Sequence, residues 1–521
     1  MQIKTLLVAG TIAGTTLGAF GHASAASSSQ QATQDAIKAQ QAQIDYLKQQ
    51  LDQMSNKLQQ LQAQQATTVA KAAEAPPAPR VVQSASNKFS VESADGQYSI
   101  GLTGRIHADV GDYVNFDPKS KSTSPQNLNS GFNLRRARIG VTGKAAGDFT
   151  YTFIYDAGGT TDATPAGIQT AQVGYTGIKN TVFEIGYSDT FFTLDEATSS
   201  NDVLFMERAS PANVGTGVNT GDFRSNVGGR YFDDRLWVGA YFTGPMSLQA
   251  HNQGESIGSY QRAAYQVLAE QDYTLHVGVG IDEIIKAPAN GGSAASTSLI
   301  VDPSGSGKVL TVTNPNVASV SLSDRPELRI DTTSLLSTGQ LGTLGHPVNG
   351  GYIADFELAG NYGPLFWQGE YLHYSIDRTG LSTADFDGGY GEAAYTVTGE
   401  SRKYNKASGA YGTIVPTHAF DPSQGYWGAW EIAGRVSYVD LTSNFQNGKV
   451  ISSTSQPGAV NGGKQTSYTA GLNWYPNSYM RFMLNYIHTD FDKANSSSSG
   501  IVGTPIGATM DAIALRTQVA W

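Results

Sequence analysis

From Phe89 to Trp521 apolar and polar side chains alternate with a period of two, the mark of strands whose two faces meet different surroundings. Between Tyr98 and Tyr113 the apolar set is Tyr98, Ile100, Leu102, Gly104, Ile106, Ala108 and Val110, interleaved with Ser99, Gly101, Thr103, Arg105, His107, Asp109 and Gly111. One face can touch lipid and the other cannot. The same holds at the end, where Ile513, Leu515, Thr517, Val519 and Trp521 oppose Ala512, Ala514, Arg516, Gln518 and Ala520. The alternation predicts sixteen strands, near 98–113, 132–144, 148–156, 168–176, 181–187, 222–232, 235–243, 260–269, 273–282, 351–361, 365–377, 384–398, 427–441, 466–475, 479–489 and 508–521. Tight polar turns at 143–148, 177–180, 233–234, 270–272, 362–364 and 476–478 join them at one end, and long loops join them at the other. An even count returns the chain to its starting side, so the strand-like stretch 325–331 is assigned to a loop. Residues 399–426 become a long connection at the tight-turn end, for which the pattern offers no reason.

The period changes upstream. Across 32–65 the apolar positions Ile37, Ile44, Leu47, Leu51, Met54, Leu58 and Leu61 are spaced by 7, 3, 4, 3, 4 and 3 residues, a coiled-coil seam that implies self-association. Gln40 at a d position and the mixed a positions leave the number of helices open. Pro76, Pro77 and Pro79 mark 66–87 as an extended linker. Residues 1–25 read as a signal peptide, with Lys4, an apolar run from Leu6 to Phe20 and Ala23-Ser24-Ala25 as cleavage site. That run is too short and too rich in Gly and Thr to cross a hydrocarbon core of about 30 Å. The expected layout is therefore signal peptide 1–25, coiled coil 32–65, linker 66–87 and barrel 88–521. The fold class is all-β, a sixteen-stranded antiparallel transmembrane β-barrel with an N-terminal α-helical coiled coil. A soluble sandwich or propeller also alternates, but export, the strand count, the terminal aromatic and the aromatics near strand ends favour the outer membrane.

Composition narrows the chemistry. The 521 residues hold 59 Gly, 26 Tyr and 20 Phe but only 15% charged side chains, with no Cys, which excludes disulfides, thiolate metal sites and a Cys nucleophile. A net charge of -10 argues against a nucleic-acid partner. His107 and His276 face the lumen by parity, yet no nucleophile motif, metal-spaced pair or phosphate-cradling Gly loop accompanies them, so no catalytic residue, metal or cofactor is expected.

From about residue 88 onward the chain resembles the phosphate-selective porins of the O and P type. The resemblance rests on FNLRRARIGVTG (132–143), TSSNDVLFMER (198–208), RPELR (325–329), YGPLFWQGEY (362–371), TGESRKY (398–404), GAWEIAGRVSYVDL (428–441) and LNYIHTDFD (484–492), in that order. It implies a homotrimer of sixteen-stranded barrels in the outer membrane, where basic side chains draw anions to a constriction formed by a third loop. The terminal Trp521 resembles the assembly signal of such barrels. An N-terminal coiled coil, here in the periplasm, is compatible with some members.

Parity selects the charges that face water. Ala137, Ile139 and Val141 form the lipid face of the second strand, which turns Arg136, Arg138 and Lys144 inward, and the same rule places Arg105, Arg435, Arg481 and Arg516 inside. Arginine on the lipid face at the midplane would cost about 2–4 kcal/mol. Two readings stand side by side: the guanidinium groups pass anions along the wall, or they pair with Glu184, Glu431, Asp109 or Asp156 and stiffen the barrel. The third loop, 188–221, carries Asp189, Asp195, Glu196, Asp202, Glu207 and Arg208, with Asp222 at its edge. Asp189 stands where the family commonly has a lysine, and an acid at a constriction repels phosphate. The expectation is an outer-membrane diffusion porin for small hydrophilic solutes, with anions such as phosphate preferred. The alternatives are a general or cation-preferring porin, or a barrel that tethers the outer membrane to peptidoglycan through the coiled coil.

Overall fold

The computed structural model describes residues 26–74, 79–83, 89–119, 127–159, 167–218, 222–245, 254–270, 272–290, 298–301, 309–312, 317–343, 345–446, 451, 456–494 and 506–521. The signal peptide expected over 1–25 lies outside them.

The chain divides at Pro77 into two units. The first holds one helix, α1 (Ala26–Glu74). It is longer than the 32–65 expected, so residues 66–74 are helical where the proline-rich composition suggested linker. The prolines act only from Pro76 on, because a helix tolerates any residue up to the first missing N–H. Ile37, Ile44, Leu47, Leu51, Met54, Leu58 and Leu61 are all exposed along it.

In the second unit sixteen of the described strands form a closed antiparallel barrel. They are β1 (Ser99–Pro118), β2 (Gly131–Ala145), β3 (Phe149–Asp156), β4 (Gly167–Tyr175), β5 (Thr181–Asp189), β6 (Phe223–Phe232), β7 (Leu236–Thr243) and β8 (Ile257–Ala269). β9 (Tyr273–Lys286), β10 (Val348–Tyr362), β11 (Leu365–Arg378), β12 (Ala384–Thr396), β13 (Ala429–Ser443), β14 (Val460–Asn477), β15 (Met480–Asp492) and β16 (Gly507–Ala520) complete it. Each pairs with its neighbour in sequence, and β16 closes on β1 with Ala520 opposite Arg105. At the seam Gly104 and Trp521 exchange two backbone hydrogen bonds of 3.0 Å. A Cβ on Gly104 would collide with the Trp521 ring, so only glycine leaves the indole its place. Phe89–Glu92 adds to the start of β1 and pairs in turn with Arg80–Gln83, a strand inside the expected linker.

Alternation decides what faces outward. Ile100, Leu102, Ile139, Phe153, Ile185, Val227, Phe356 and Leu484 are exposed, while their strand neighbours turn into the lumen. One departure from simple parity matters. Between His107 and Ala108 of β1 the partner strand skips from Arg136 to Leu134, a β-bulge at Arg135. The extra residue lets Arg135 and Arg136, adjacent in sequence, both reach interior partners. Strict alternation would have sent one of them to lipid.

Candidate functional site in the barrel lumen

Three connections fill the interior. The third loop enters between β5 and β6 because its apolar side chains have nowhere else to go. Phe192, Leu194, Leu204, Phe205, Met206, Ala212 and Val214 are buried against inward residues of the wall. It carries two short helices, α2 (Leu194–Ala197), capped by the Thr193 hydroxyl, and α3 (Ser210–Val218). The segment between β9 and β10 follows it with Val320, Leu322, Leu328, Leu335 and Leu336 buried. Here the 325–331 stretch is loop, as its parity required. Glu327, held at a φ of 43°, accepts from the Ser210 amide (2.9 Å), from Arg435 (2.6 Å) and from the Ser437 hydroxyl. One carboxylate thereby ties both loops to β13, and such a network can hold a left-handed residue in place.

The third insertion explains the long connection at the tight-turn end. Within residues 397–428 a wedge that carries the TGESRKY segment buries Arg402, Ala410, Tyr411 and Ile414 in the barrel, while 417–427 stay exposed. Arg402 makes a bidentate pair with Glu431 (2.9 and 3.1 Å) and donates to the Asp202 carbonyl of the third loop at 2.7 Å. Arg262 donates to the carbonyls of Ser408 (2.9 Å) and Gly409 (2.7 Å), and Trp237 to that of Ala407 (3.0 Å). Tyr404 and Tyr411 reach His276 and Thr274 at 2.9 and 2.8 Å. Gly409 has a φ of +61° and lies on the Trp237 ring, which leaves no room for a side chain. Sequence periodicity is blind to this wedge, since its order comes from partners on four distant strands.

Each arginine assigned to the lumen can now be placed. Arg516 grips Asp109 with two bonds of 2.7 Å and reaches Glu207 at 2.9 Å. Arg138 pairs with Asp156 at 2.7 Å, and Arg435 with Glu327. Arg481 donates to the carbonyls of Val203 and Leu204 at 2.7 and 3.0 Å, and Arg105 to the Ser200 hydroxyl at 2.6 Å. Of the two readings left open above, pairing thus holds for Arg138, Arg435 and Arg516. Glu184 and Glu431 are paired as well, but to Arg230 and Arg402, which the parity argument had not put forward. Lys144 is exposed beside the turn that ends β2, at the mouth of the barrel.

The acidic members of the third loop are brought together by its two helices. Asp195 binds Arg208 at 3.0 Å, and Glu196 accepts from Thr190 at 3.2 Å. Burial, helped by Asp222, pushes the Glu196 carboxyl well above the usual range. Burial opposes ionisation of Glu207 too, but Arg135 and Arg516 prevail and hold it well below that range. Asp202, half-buried, offers its carbonyl to Arg402. Asp189, the departure noted at the start of the loop, lies within electrostatic reach of Arg138, Arg208 and Arg105 as well as Asp222.

Between the third loop and β2 lies a narrow cavity of about 10 Å³, room for about one water, lined by Arg135, Arg136, Ser200, Val203, Met206, Glu207, Arg208, Asn213 and Asp222. Arg135 is committed to Glu207 through bonds of 2.8 and 3.1 Å. Arg136 is different. It is 7% exposed, and among the described residues its one polar contact is His107 at 3.4 Å and its Nε has no partner. Sequence reasoning selected Arg136 but missed Arg135, Glu327 and Arg402; a Leu-Arg-Arg-Ala break in the alternation was the available signal for the first.

A closed sixteen-stranded barrel with a lipid-compatible outside, a charged inside and inserted loops defines an outer-membrane porin, a channel by architecture. The chain belongs to the family of phosphate-selective porins O and P, whose sequence profile matches residues 100–521. Porin O of Pseudomonas aeruginosa is 25% identical over 426 residues, spanning 79% of this chain and 87% of that protein. An uncharacterized protein of Caulobacter vibrioides is 26% identical over 441 residues, spanning 84% of this chain and 78% of its own. Among solved structures, an anion-selective porin from Comamonas acidovorans covers 81% of this chain and 100% of its own at 10% identity and a TM-score of 0.46.

Proposed function

We propose that the protein is an anion-preferring diffusion porin for small hydrophilic solutes, with phosphate and related oxyanions among them. The observation that carries this reading is Arg136, buried beside the constriction cavity with no carboxylate bound to it. A guanidinium in that state offers planar donors that match an oxyanion. Nearby, Arg105 is held by hydroxyls and Arg481 by carbonyls, while Arg135 and Arg516 are balanced by Glu207 and Asp109. The family's name supports phosphate as solute. The test is the zero-current potential of the purified porin in a planar bilayer across a potassium chloride gradient, repeated with added phosphate. An anion-selective potential with phosphate reducing chloride current is expected, and a cation-selective or neutral pore overturns the reading.

The working unit is a homotrimer, with α1 on the periplasmic side as a coiled coil. β1 starts at the tight-turn end, which faces the periplasm in such barrels. The exposed seam from Ile37 to Leu61 supplies the apolar surface for self-association. Leu47→Asp with Leu58→Asp should lower the mass of the detergent-solubilised particle or its resistance to dissociation. A trimer of unchanged stability would remove the helix from the assembly.

A further inference from the structure

We infer that Asp355, Glu357 and Glu370 hold a divalent cation of the calcium type against the lumen wall. Their carboxylate oxygens lie within 4.8 Å of one another, and all three side chains are buried. Glu357 and Glu370 are directly opposed on β10 and β11, a placement in which like charges repel. Two of the three are compensated. Glu357 is gripped by Arg262 at 2.6 and 2.8 Å and touches His276 at 2.8 Å. Glu370 accepts from the Leu194 amide (2.5 Å), the Asp195 amide (3.2 Å) and the Tyr390 hydroxyl (2.6 Å).

Asp355 is the exception. It is 1% exposed, and among the described residues no donor reaches its oxygens, which face the Glu370 carboxyl within hydrogen-bond range. A carboxylate in that position is strongly unfavourable unless a counter-charge joins it. The charge count specifies the missing partner: three carboxylates face one guanidinium, which leaves two negative charges for a divalent ion. The donor set is all oxygen, as hard cations require, because His276 is taken up by Glu357 and Tyr404. The Phe192 carbonyl lies over Gly280, where an added Cβ would come within 3.5 Å of the Asp355 Cβ. Gly278 likewise leaves the space that Glu357 occupies. Irregular oxygen cages of this kind suit calcium better than magnesium, which demands near-octahedral geometry. Since Glu370 also holds the start of α2, the ion ties the third loop to the wall.

The test uses the full-length porin folded in detergent, stripped with EDTA and titrated with Tb3+, with emission excited through tyrosine. Tyr390, bonded to Glu370, supplies an antenna at the site. Saturable emission that calcium displaces and potassium does not is expected. It should be lost in Asp355→Asn and retained in Asp234→Asn, an exposed turn carboxylate. Glu370→Gln decides the matter should Asp355→Asn not fold. No sensitised emission from the wild type, or unchanged binding by the folded Asp355→Asn protein, overturns the site and points to a proton held among the carboxylates. The readout involves no conductance, so its failure leaves the anion reading untouched, and the reverse is equally true.

Discussion

Replacing residues 399–427 by an Asn-Gly turn, together with Glu431→Gln, should raise single-channel conductance severalfold while the barrel remains folded. Thr396 is already paired with Glu431 across β12 and β13, so a tight turn of the sort that joins the other hairpins can close the gap. The second substitution is needed because Arg402 leaves with the wedge, and Glu431 would otherwise be a buried charge without its counter-ion. Tyr475 and Asn473 remain to hydrogen-bond the amide. Arg262 loses the carbonyls of Ser408 and Gly409 but keeps Glu357. What disappears is the cross-section that Arg402, Ala410, Tyr411 and Ile414 occupy in the lumen. Current recorded in a planar bilayer decides: a conductance equal to that of the wild type would mean that ions pass along another wall and that the wedge is scaffold.

The second large effect is a divergence between stability and selectivity. Arg136→Met should raise the thermal midpoint, by an amount corresponding to about 1 kcal/mol, while moving the zero-current potential toward neutrality and weakening phosphate block. Methionine fills the same volume without a desolvated charge, and no carboxylate is left stranded, since none is bound to Arg136. Arg516→Met should behave in the opposite way, because it strands Asp109, whose two bonds of 2.7 Å are to that side chain. Unfolding followed by tryptophan fluorescence and bilayer recordings on the same preparations separate the two. An Arg136→Met porin that is less stable than wild type would show that this arginine is structural, and the anion reading would lose its principal support.

On the proposed reading, function resides in the arginine left without a carboxylate. Arg516, Arg138 and Arg435 have the composition of an anion ladder but spend their donors on Asp109, Asp156 and Glu327. Charge-assisted pairs of this kind fix the wall and the loops, and only a group left without such a partner can exchange one anion for the next. Pore chemistry therefore depends on which arginine is left over.

The barrel was legible from the chain because its rule is local. A strand with lipid on one side and water on the other must alternate residue by residue, so all sixteen strands, the tight turns and the inward set Arg105, Arg136, Arg138, Arg435, Arg481 and Arg516 could be read without knowing any contact. The limits of that reading are equally physical. Arg135 enters the lumen through a bulge, which breaks the parity on which the reading depends. The helix continues to Glu74, beyond the last seam residue, because alanine and glutamine sustain helix without marking a face. The folding of the wedge within 397–428 into the lumen, the pinning of two loops by Glu327, and the meeting of Asp355, Glu357 and Glu370 around an uncompensated charge depend on partners on other strands. Sequence periodicity determines faces, because it reports each residue's own solvent; tertiary structure alone decides pairing, because an ion pair joins positions with no periodic relation along the chain.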